Sequence, residues 1–228
     1  MAQPIRIGNS ASEFLVDVPE ASTKSAVIFL PGMSGGALSD RFQPLVDACL
    51  RANLAIARLS AWKGPEDIGV RNLSEVYADI GAVSTYLHEH SYDSIYGIGK
   101  SMGGAFVLTF PSVYVSKRVL WAPAISVAES GGNIEAYMSA PLGSLRAMLD
   151  LEIDRESLKC SETSTLIIHG TADTTVPFSN SERIVSLLPD ASLFAIEGAN
   201  HSYDTEAHEQ TLVEATVNFL TDKTSPFM

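Results

Sequence analysis

Long apolar runs are missing from this sequence. Although 46% of its residues are hydrophobic, none of its apolar stretches approaches the roughly 20 residues that a membrane-spanning helix needs. The first residues, Met1-Ala2-Gln3-Pro4-Ile5-Arg6, also lack the charged segment and apolar core of a secretory signal. We therefore expect a cytoplasmic globular protein with no membrane span.

Cysteine and basic residues are also scarce. The two cysteines, Cys49 and Cys160, could pair, but without a secretory signal the sequence favours two reduced thiols. Fifteen lysines and arginines stand against 27 acidic residues, for a net charge of −12. Nucleic acids and anionic membranes bind basic surfaces, so neither is an expected partner.

Short apolar runs alternate with helical patterns along the 228 residues. The runs predict strands at residues 5–7, 14–18, 26–30, 54–59, 94–99, 118–121, 165–168 and 192–196. Apolar spacing predicts helices over residues 42–50, 76–87, 103–110, 181–188 and 206–220. Strand–helix alternation of this kind predicts an α/β fold: a mainly parallel sheet of about seven or eight strands, with an antiparallel start and helices on both faces.

Residues 124–164 interrupt this alternation, with Gly131-Gly132, Pro141 and Gly143 close together. We interpret the segment as a short lid or cap inserted into a single domain that covers residues 1–228. Apolar side chains in the lid, together with one tryptophan before it, are candidates to line a substrate pocket, although such a stripe is also typical of ordinary packing. These candidates are Trp62, Tyr137, Met138, Leu142, Leu145 and Met148.

The motif with the clearest chemistry is Gly99-Lys100-Ser101-Met102-Gly103. It lies between a predicted strand and a predicted helix, and it resembles the Gly-x-Ser-x-Gly nucleophile elbow of the α/β-hydrolases. A glycine-rich dinucleotide turn is the alternative, but it needs a third glycine in register, which is absent here. The resemblance is to small serine esterases of the dienelactone-hydrolase and prolyl-oligopeptidase-like branch, and it implies that Ser101 is the nucleophile.

The resemblance also implies an acid and then a histidine, in that order after the serine. His169-Gly170-Thr171-Ala172-Asp173-Thr174-Thr175-Val176-Pro177 is similar to the acid loop of many esterases and related peptidases, so Asp173 is the candidate acid. Alternatively, Asp173 only caps a turn. His201 follows the last predicted strand, where the family's histidine lies. The other histidines are His88, His90, His169 and His208, and we expect Asp204 to be the N-cap of the last helix.

Two backbone N–H groups should stabilise the oxyanion. The elbow implies the N–H of Met102, and the loop Leu30-Pro31-Gly32-Met33-Ser34-Gly35-Gly36 resembles the family's His-Gly-x loop with proline in place of histidine. Met33 is the candidate second donor, and Ser34 is the alternative. Lys100 forms no Ser-x-x-Lys motif with Ser101, which leaves it without a catalytic role or with a bias toward anionic substrates.

These residues predict a serine hydrolase that cleaves a carboxylic ester or thioester of a small molecule through an acyl-enzyme on Ser101. The mechanism needs no metal and no organic cofactor. Two alternatives stay open: a serine peptidase or amidase of the prolyl-oligopeptidase type, and a non-catalytic ligand-binding member of the fold. The sequence assigns neither the acyl group nor the oligomeric state.

Overall fold

An eight-stranded sheet organises the computed structural model, which describes residues 3–8, 10–64, 73–111, 115–124 and 161–222. Along the chain the strands are β1 (Ile5–Arg6), β2 (Glu13–Asp17), β3 (Ser25–Leu30), β4 (Ala55–Ser60), β5 (Ser94–Lys100), β6 (Lys117–Trp121), β7 (Ser164–Gly170) and β8 (Ala191–Ile196). Each lies within a few residues of a predicted strand.

The spatial order of the strands is β1-β2-β4-β3-β5-β6-β7-β8. Strand β2 pairs antiparallel with both β1 and β4, and every later pair is parallel. This confirms the predicted fold class: a mainly parallel sheet with an antiparallel start. Because the central strands are parallel, the loops after β3, β5, β7 and β8 all leave the sheet at the same edge.

Five described helices accompany the sheet. They are α1 (Gln43–Arg51), which a short 3-10 helix (Asp40–Phe42) precedes, α2 (Leu73–Glu89), α3 (Met102–Thr109), α4 (Phe178–Leu187) and α5 (Glu206–Leu220). Among the described helices, none combines the length and apolar character needed to cross a membrane. Our prediction of the cap of α5 is wrong: Thr205 is the N-cap and its side chain accepts from the N–H of His208, while Asp204 lies one residue earlier.

Two hydrophobic cores lie on opposite faces of the sheet, because alternate strand residues point to opposite sides. In β3, Ile28 belongs to the core that contains the apolar residues of α2, α3 and α4, whereas Phe29 belongs to the core with α1 and α5. Five of the six β3 residues are buried, as expected for a strand that is covered on both faces.

The predicted lid would connect β6 to β7, since the chain leaves β6 at Trp121 and enters β7 at Ser164. Residues 125–160 lie outside the described residues, and with them Tyr137, Met138, Leu142, Leu145, Met148 and Cys160. Cys49 is a free, buried thiol in α1. Burial raises its pKa to about 12, so this thiol stays protonated at neutral pH.

Candidate active site

Ser101 occupies a strained turn between β5 and α3. Its φ of 52° and ψ of −116° lie in a region that side-chain-bearing residues rarely adopt. The end of β6 holds this turn, because the Ser101 N–H donates to the carbonyl of Trp121 at 2.8 Å and the Ser101 carbonyl accepts from Ala124 N–H at 2.9 Å. Strain of this kind persists only where surrounding contacts enforce it.

Two glycines make room for the turn. A Cβ on Gly99 would lie 2.4 Å from the carbonyl oxygen of Gly103, and a Cβ on Gly103 would lie 2.3 Å from the carbonyl oxygen of Pro31. The first glycine therefore lets α3 approach β5, and the second lets α3 approach the end of β3. This geometry matches the steric reason for glycine on each side of a nucleophile elbow.

The loop after β7 presents Asp173 to His201. The Nδ1 of His201 lies 2.7 Å from Asp173 Oδ2. The other carboxylate oxygen, Oδ1, accepts the backbone N–H groups of Thr175 at 2.7 Å and Val176 at 2.8 Å. The carboxylate of Asp173 is fully buried and the His201 side chain is 17% exposed. Two predicted residues that are 28 positions apart are thus in direct contact.

Opposing effects set the pKa of Asp173. Burial alone would raise it, but hydrogen bonds from His169, His201 and the Val176 N–H, together with the nearby charge of His201, outweigh burial and hold the pKa well below its ordinary value. A carboxylate that accepts several hydrogen bonds stays ionised across the physiological range. Asp173 can therefore act as a permanent anion beside His201.

The loop that carries His201 is tied to itself and to the sheet. Asn200 Oδ1 accepts from the N–H of Asp204 at 3.3 Å, and Asn200 Nδ2 donates to the Asp204 carboxylate at 2.8 Å. Tyr203, at a φ of 56°, donates its O–H to the carbonyl of Ile168 in β7 at 3.0 Å. These bonds fix the position from which His201 reaches Asp173.

The loop after β3 folds around one carbonyl. Gly32 O accepts the N–H of Gly35 at 3.0 Å and the indole N–H of Trp62 at 2.8 Å. Gly35 has a φ of 68°, and a Cβ there would lie 2.6 Å from the carbonyl oxygen of Lys63. Within the described chain, no acceptor is assigned to the backbone N–H of Met33, which leaves it available to a ligand.

The Gly32–Gly36 loop and Ser101 face a common cavity of about 380 Å³, which His201 also lines. A Cβ on Gly32 would lie 3.3 Å from the Cβ of Ser101, so the loop packs directly against this serine. In the part of the chain that the structure describes, no hydrogen bond joins Ser101 Oγ to His201. Such bonds are often long before substrate binds.

Trp62 is not among the described residues that line this cavity. It is 3% exposed, packs against Phe106 with ring centroids 5.6 Å apart, and supports the Gly32 carbonyl as described above. The predicted substrate contact of Trp62 stays a prediction, while its hydrogen bond gives it a structural connection to the loop.

Lys100 has an unusual environment for a cation. It is only 9% exposed, and its Nζ lies 5.9 Å from the centroid of the Tyr203 ring. Burial is the main cause that lowers its pKa to about 8, and repulsion by Arg41 adds to it. The carboxylates of Asp204, Asp173 and Glu209 act in the opposite direction. Charge at this position is therefore costly to the fold.

Sequence reasoning missed one contact of the acid. His169, the first residue of the acid motif, is completely buried, and its Nε2 lies 3.1 Å from Asp173 Oδ2 and 3.0 Å from Val176 O. The four-residue spacing in the motif was the available signal. Of the remaining histidines, His88 and His90 are exposed at the end of α2 and contact the carbonyls of Tyr92 and Tyr86, and His208 lies in the first turn of α5.

Comparison with known proteins agrees with this architecture. Residues 133–226 match the sequence model of the prolyl oligopeptidase family, which is less than half of the chain. A search of curated proteins found no match.

Several solved structures superimpose over nearly the whole chain. Est1E from Butyrivibrio proteoclasticus has a TM-score of 0.78 at 17% identity and covers 97% of this chain and 98% of its own. Native esterase Est2 from Thermogutta terrifontis has a TM-score of 0.72 at 18% identity, with 99% and 94% covered. Dienelactone hydrolase from Anabaena variabilis has a TM-score of 0.69 at 16% identity, with 97% and 94% covered.

At these identities the likeness is evidence about the fold. The eight-stranded, mostly parallel sheet with its flanking helices matches the architecture of these neighbours. This chain has the α/β-hydrolase fold, as its elbow motif predicted.

Proposed function

We propose that this chain is a serine hydrolase that cleaves carboxylic esters or thioesters through an acyl-enzyme on Ser101. The observation that carries the proposal is the 2.7 Å hydrogen bond from His201 to the buried carboxylate of Asp173. His201 also lines the same cavity as the strained turn at Ser101. A nucleophile, a base and an orienting acid are the three parts that activate a serine alcohol.

The first step is the attack of Ser101 on the substrate carbonyl. Because the N–H at His201 Nδ1 donates a hydrogen bond to the ionised carboxylate of Asp173, its Nε2 carries a free lone pair that can accept the proton of the Ser101 hydroxyl. Asp173 then stabilises the imidazolium that forms. The Ser101–His201 hydrogen bond closes when substrate excludes water from the cavity.

Charge then develops on the carbonyl oxygen. The N–H of Met102 begins α3 and has no partner within the helix, and the N–H of Met33 lies in the loop that packs against Ser101. Together these two donors form the proposed oxyanion hole, with Ser34 as the alternative to Met33. Each such donor typically contributes about 10²–10³ in kcat.

The acyl-enzyme forms when the carbonyl–leaving-group bond breaks. His201 gives its proton to the departing alcohol or thiol, and a water molecule then loses a proton to His201 as it attacks the acyl carbon. The ester bond to Ser101 breaks, Ser101 regains its proton, and the acid product leaves. No step requires a metal or an organic cofactor.

The similar structures support this chemistry. They include an esterase, a dienelactone hydrolase and a monoacylglycerol lipase, and the Thermogutta esterase has been obtained phosphoramylated by tabun. The match of residues 133–226 to the prolyl oligopeptidase family favours a peptidase or amidase as the second candidate, because it covers the segment that carries Asp173 and His201.

A fluorophosphonate probe tests the proposal directly. We expect it to label the wild-type protein at Ser101, to fail on Ser101→Ala, and to react slowly with His201→Ala. Ser39→Ala is the matched control, since Ser39 is an exposed serine that lines the same cavity and should not affect labelling. A folded wild-type protein that does not react would favour the non-catalytic ligand-binding alternative.

Substrate profiling separates the two enzymatic candidates. Rates on p-nitrophenyl esters of increasing chain length are compared with those on acyl-CoA thioesters and aminoacyl amides. We expect turnover of an ester or thioester, and a drop in kcat of roughly 10⁴–10⁶ in Ser101→Ala. Cleavage of amides alone would assign the chain to the peptidase class instead.

A further inference from the structure

A second histidine contacts the acid of the triad. His169 Nε2 lies 3.1 Å from Asp173 Oδ2, the same oxygen that accepts from His201 at 2.7 Å. His169 extends from β7, and both its side chain and the Asp173 carboxylate are fully buried. One carboxylate oxygen therefore lies between two imidazoles, and the catalytic mechanism proposed above uses only one of them.

The partners of His169 determine where its proton lies. Nε2 faces two acceptors, the Asp173 carboxylate and the carbonyl oxygen of Val176 at 3.0 Å, so Nε2 must be protonated. Nδ1 lies 2.6 Å from the hydroxyl of Ser181 in α4. In a neutral imidazole with its proton on Nε2, Nδ1 accepts a hydrogen bond from the hydroxyl of Ser181.

We propose that His169 and Ser181 form a positioning pair that holds Asp173 in the orientation that His201 requires. This inference rests on the proposed function, because it assigns a role within the same triad. His169 contacts neither substrate nor reacting atoms. It acts through Asp173, by donating to the oxygen that His201 uses.

The physical argument concerns the rotation of the carboxylate. Oδ1 of Asp173 is held by the backbone N–H groups of Thr175 and Val176, whereas without His169 only His201 would hold Oδ2. During turnover His201 becomes charged and then neutral again, and its hydrogen bond strengthens and weakens accordingly. A fixed donor on Oδ2 keeps the acceptor in place throughout this cycle.

Packing makes the pair rigid. Ser181 and His169 are both completely buried, and the imidazole packs against Phe178 with ring centroids 5.5 Å apart. The pair therefore connects α4 to the acid loop, and it links the position of a helix on the sheet to the geometry of the triad.

A double-mutant cycle on the most reactive ester tests the role. We expect His169→Leu to lower kcat by roughly 10- to 100-fold, the range found for residues that orient metal-binding side chains, with KM within about twofold. His169→Gln retains an amide donor near the Nε2 position and should recover most of kcat. In an Asp173→Ala background, His169→Leu should cost less than twofold, since the group through which it acts is gone.

Two outcomes would overturn the inference. One is an equal loss of kcat in His169→Leu and His169→Gln, and the other is an undiminished loss in the Asp173→Ala background. If His169→Leu does not fold, Ser181→Ala provides the same cycle, because it removes the partner of Nδ1 with a smaller change. We expect it to lower kcat several-fold with Asp173 present and to have no effect without it.

Histidine side-chain NMR gives a readout that does not depend on activity. Nitrogen–proton correlations of the wild-type protein should show His169 as the Nε2–H tautomer, with the signal identified by its loss in His169→Gln. The Nδ1–H tautomer would contradict the hydrogen bond to Asp173. Failure of fluorophosphonate labelling would instead refute the proposed function while leaving this contact measurable, so the two failures are distinguishable.

Discussion

Lys100 illustrates at the residue scale how a charged side chain next to Ser101 can weaken the fold. Burial lowers its pKa in the native state to about 8, from an ordinary value of 10.5, so the charged amine is less stable in the native state than in the unfolded chain. Between these pH values the unfolded chain binds more protons, and the free energy of unfolding therefore rises with pH. The cost at pH 7 is on the order of 3 kcal/mol.

Replacement of this lysine should stabilise the protein. We expect Lys100→Met to raise the melting temperature at pH 7 by about 6–12 °C, because methionine fills a similar volume without a buried charge. The gain should shrink as the pH rises from 8 to 10.5 and vanish at its upper end. Thermal unfolding of both proteins across this range measures the difference.

Lys24→Met is the matched control for this prediction, since Lys24 is exposed. It should leave both the melting temperature and its dependence on pH close to those of the wild-type protein. A gain for Lys100→Met that stays constant from pH 7 to pH 10.5 would contradict the argument, because it would then come from packing and not from the titration of the amine.

The residues of the candidate triad could be predicted because each follows a strand and belongs to a motif. Asp173 and His201 lie in the loops after β7 and β8, and these two strands pair in parallel, so both loops lie at the same edge of the sheet. His169 could not be assigned in this way. Its role depends on where its imidazole points at the end of β7, and on a hydrogen bond to Ser181, which is 12 residues further along the chain. The spacing of the motif predicts neither the orientation of the ring nor its contact with Ser181.

At the scale of elements, the loop after β3 depends on one close backbone approach. Gly35 and Gly36 both have positive φ angles, of 68° and 75°. A Cβ on Gly35 would lie 2.6 Å from the backbone of Lys63, whereas on Gly36 the nearest atom is 3.6 Å away. Alanine would therefore be strained by the positive φ at either position, but only at Gly35 would its Cβ also clash with the backbone.

We expect Gly35→Ala to lower kcat by roughly 10²-fold, because the clash moves the loop that carries the proposed Met33 donor and one oxyanion donor contributes about that much. Gly36→Ala should cost about 1–2 kcal/mol of stability and leave kcat within threefold. Ester kinetics and thermal melts of both variants separate the two effects. Equal losses of kcat would mean that the approach of Gly35 to Lys63 does not position the donor.

The elements themselves were largely predictable, for a physical reason. Strands buried on both faces are nearly uniform in apolar residues, as β3 is. In a helix with one buried face, apolar residues recur every three or four positions, as Leu45, Val46 and Cys49 do in α1. Helix ends are harder to predict, because capping depends on one local hydrogen bond. Thr205 and Asp204 are both good N-cap residues, and only the bond from His208 N–H to Thr205 distinguishes them.

At the scale of the whole molecule, the sheet lies between two hydrophobic cores, and its strands contribute residues to both. The sequence predicted parallel strands but not their spatial order, because order depends on contacts between distant segments, such as β2 with β4 and β3 with β5. Each core contains one of the two tryptophans: Trp62 packs with the α2, α3 and α4 side, and Trp121 with the α1 and α5 side. The two rings can therefore report on the two cores separately.

This arrangement tests whether the chain unfolds as one domain. In Trp62→Phe the fluorescence reports on the core around Trp121, which also donates to Thr216 in α5 at 2.9 Å. In Trp121→Phe it reports on the core around Trp62. Because both cores are built on the same strands, neither can lose its packing while the other keeps the sheet intact. We expect, within each variant, the urea midpoint from fluorescence to coincide with that from far-ultraviolet circular dichroism.

Comparison within a variant removes the effect of the substitution itself, since each loss of an indole lowers stability by its own amount. A fluorescence midpoint below the circular dichroism midpoint in one variant only would show that its core melts first, and the single-domain prediction would then be wrong. Coincidence in both variants would mean that the loops carrying Ser101, Asp173 and His201 lose their common support in one step. Activity should then disappear at that same urea concentration.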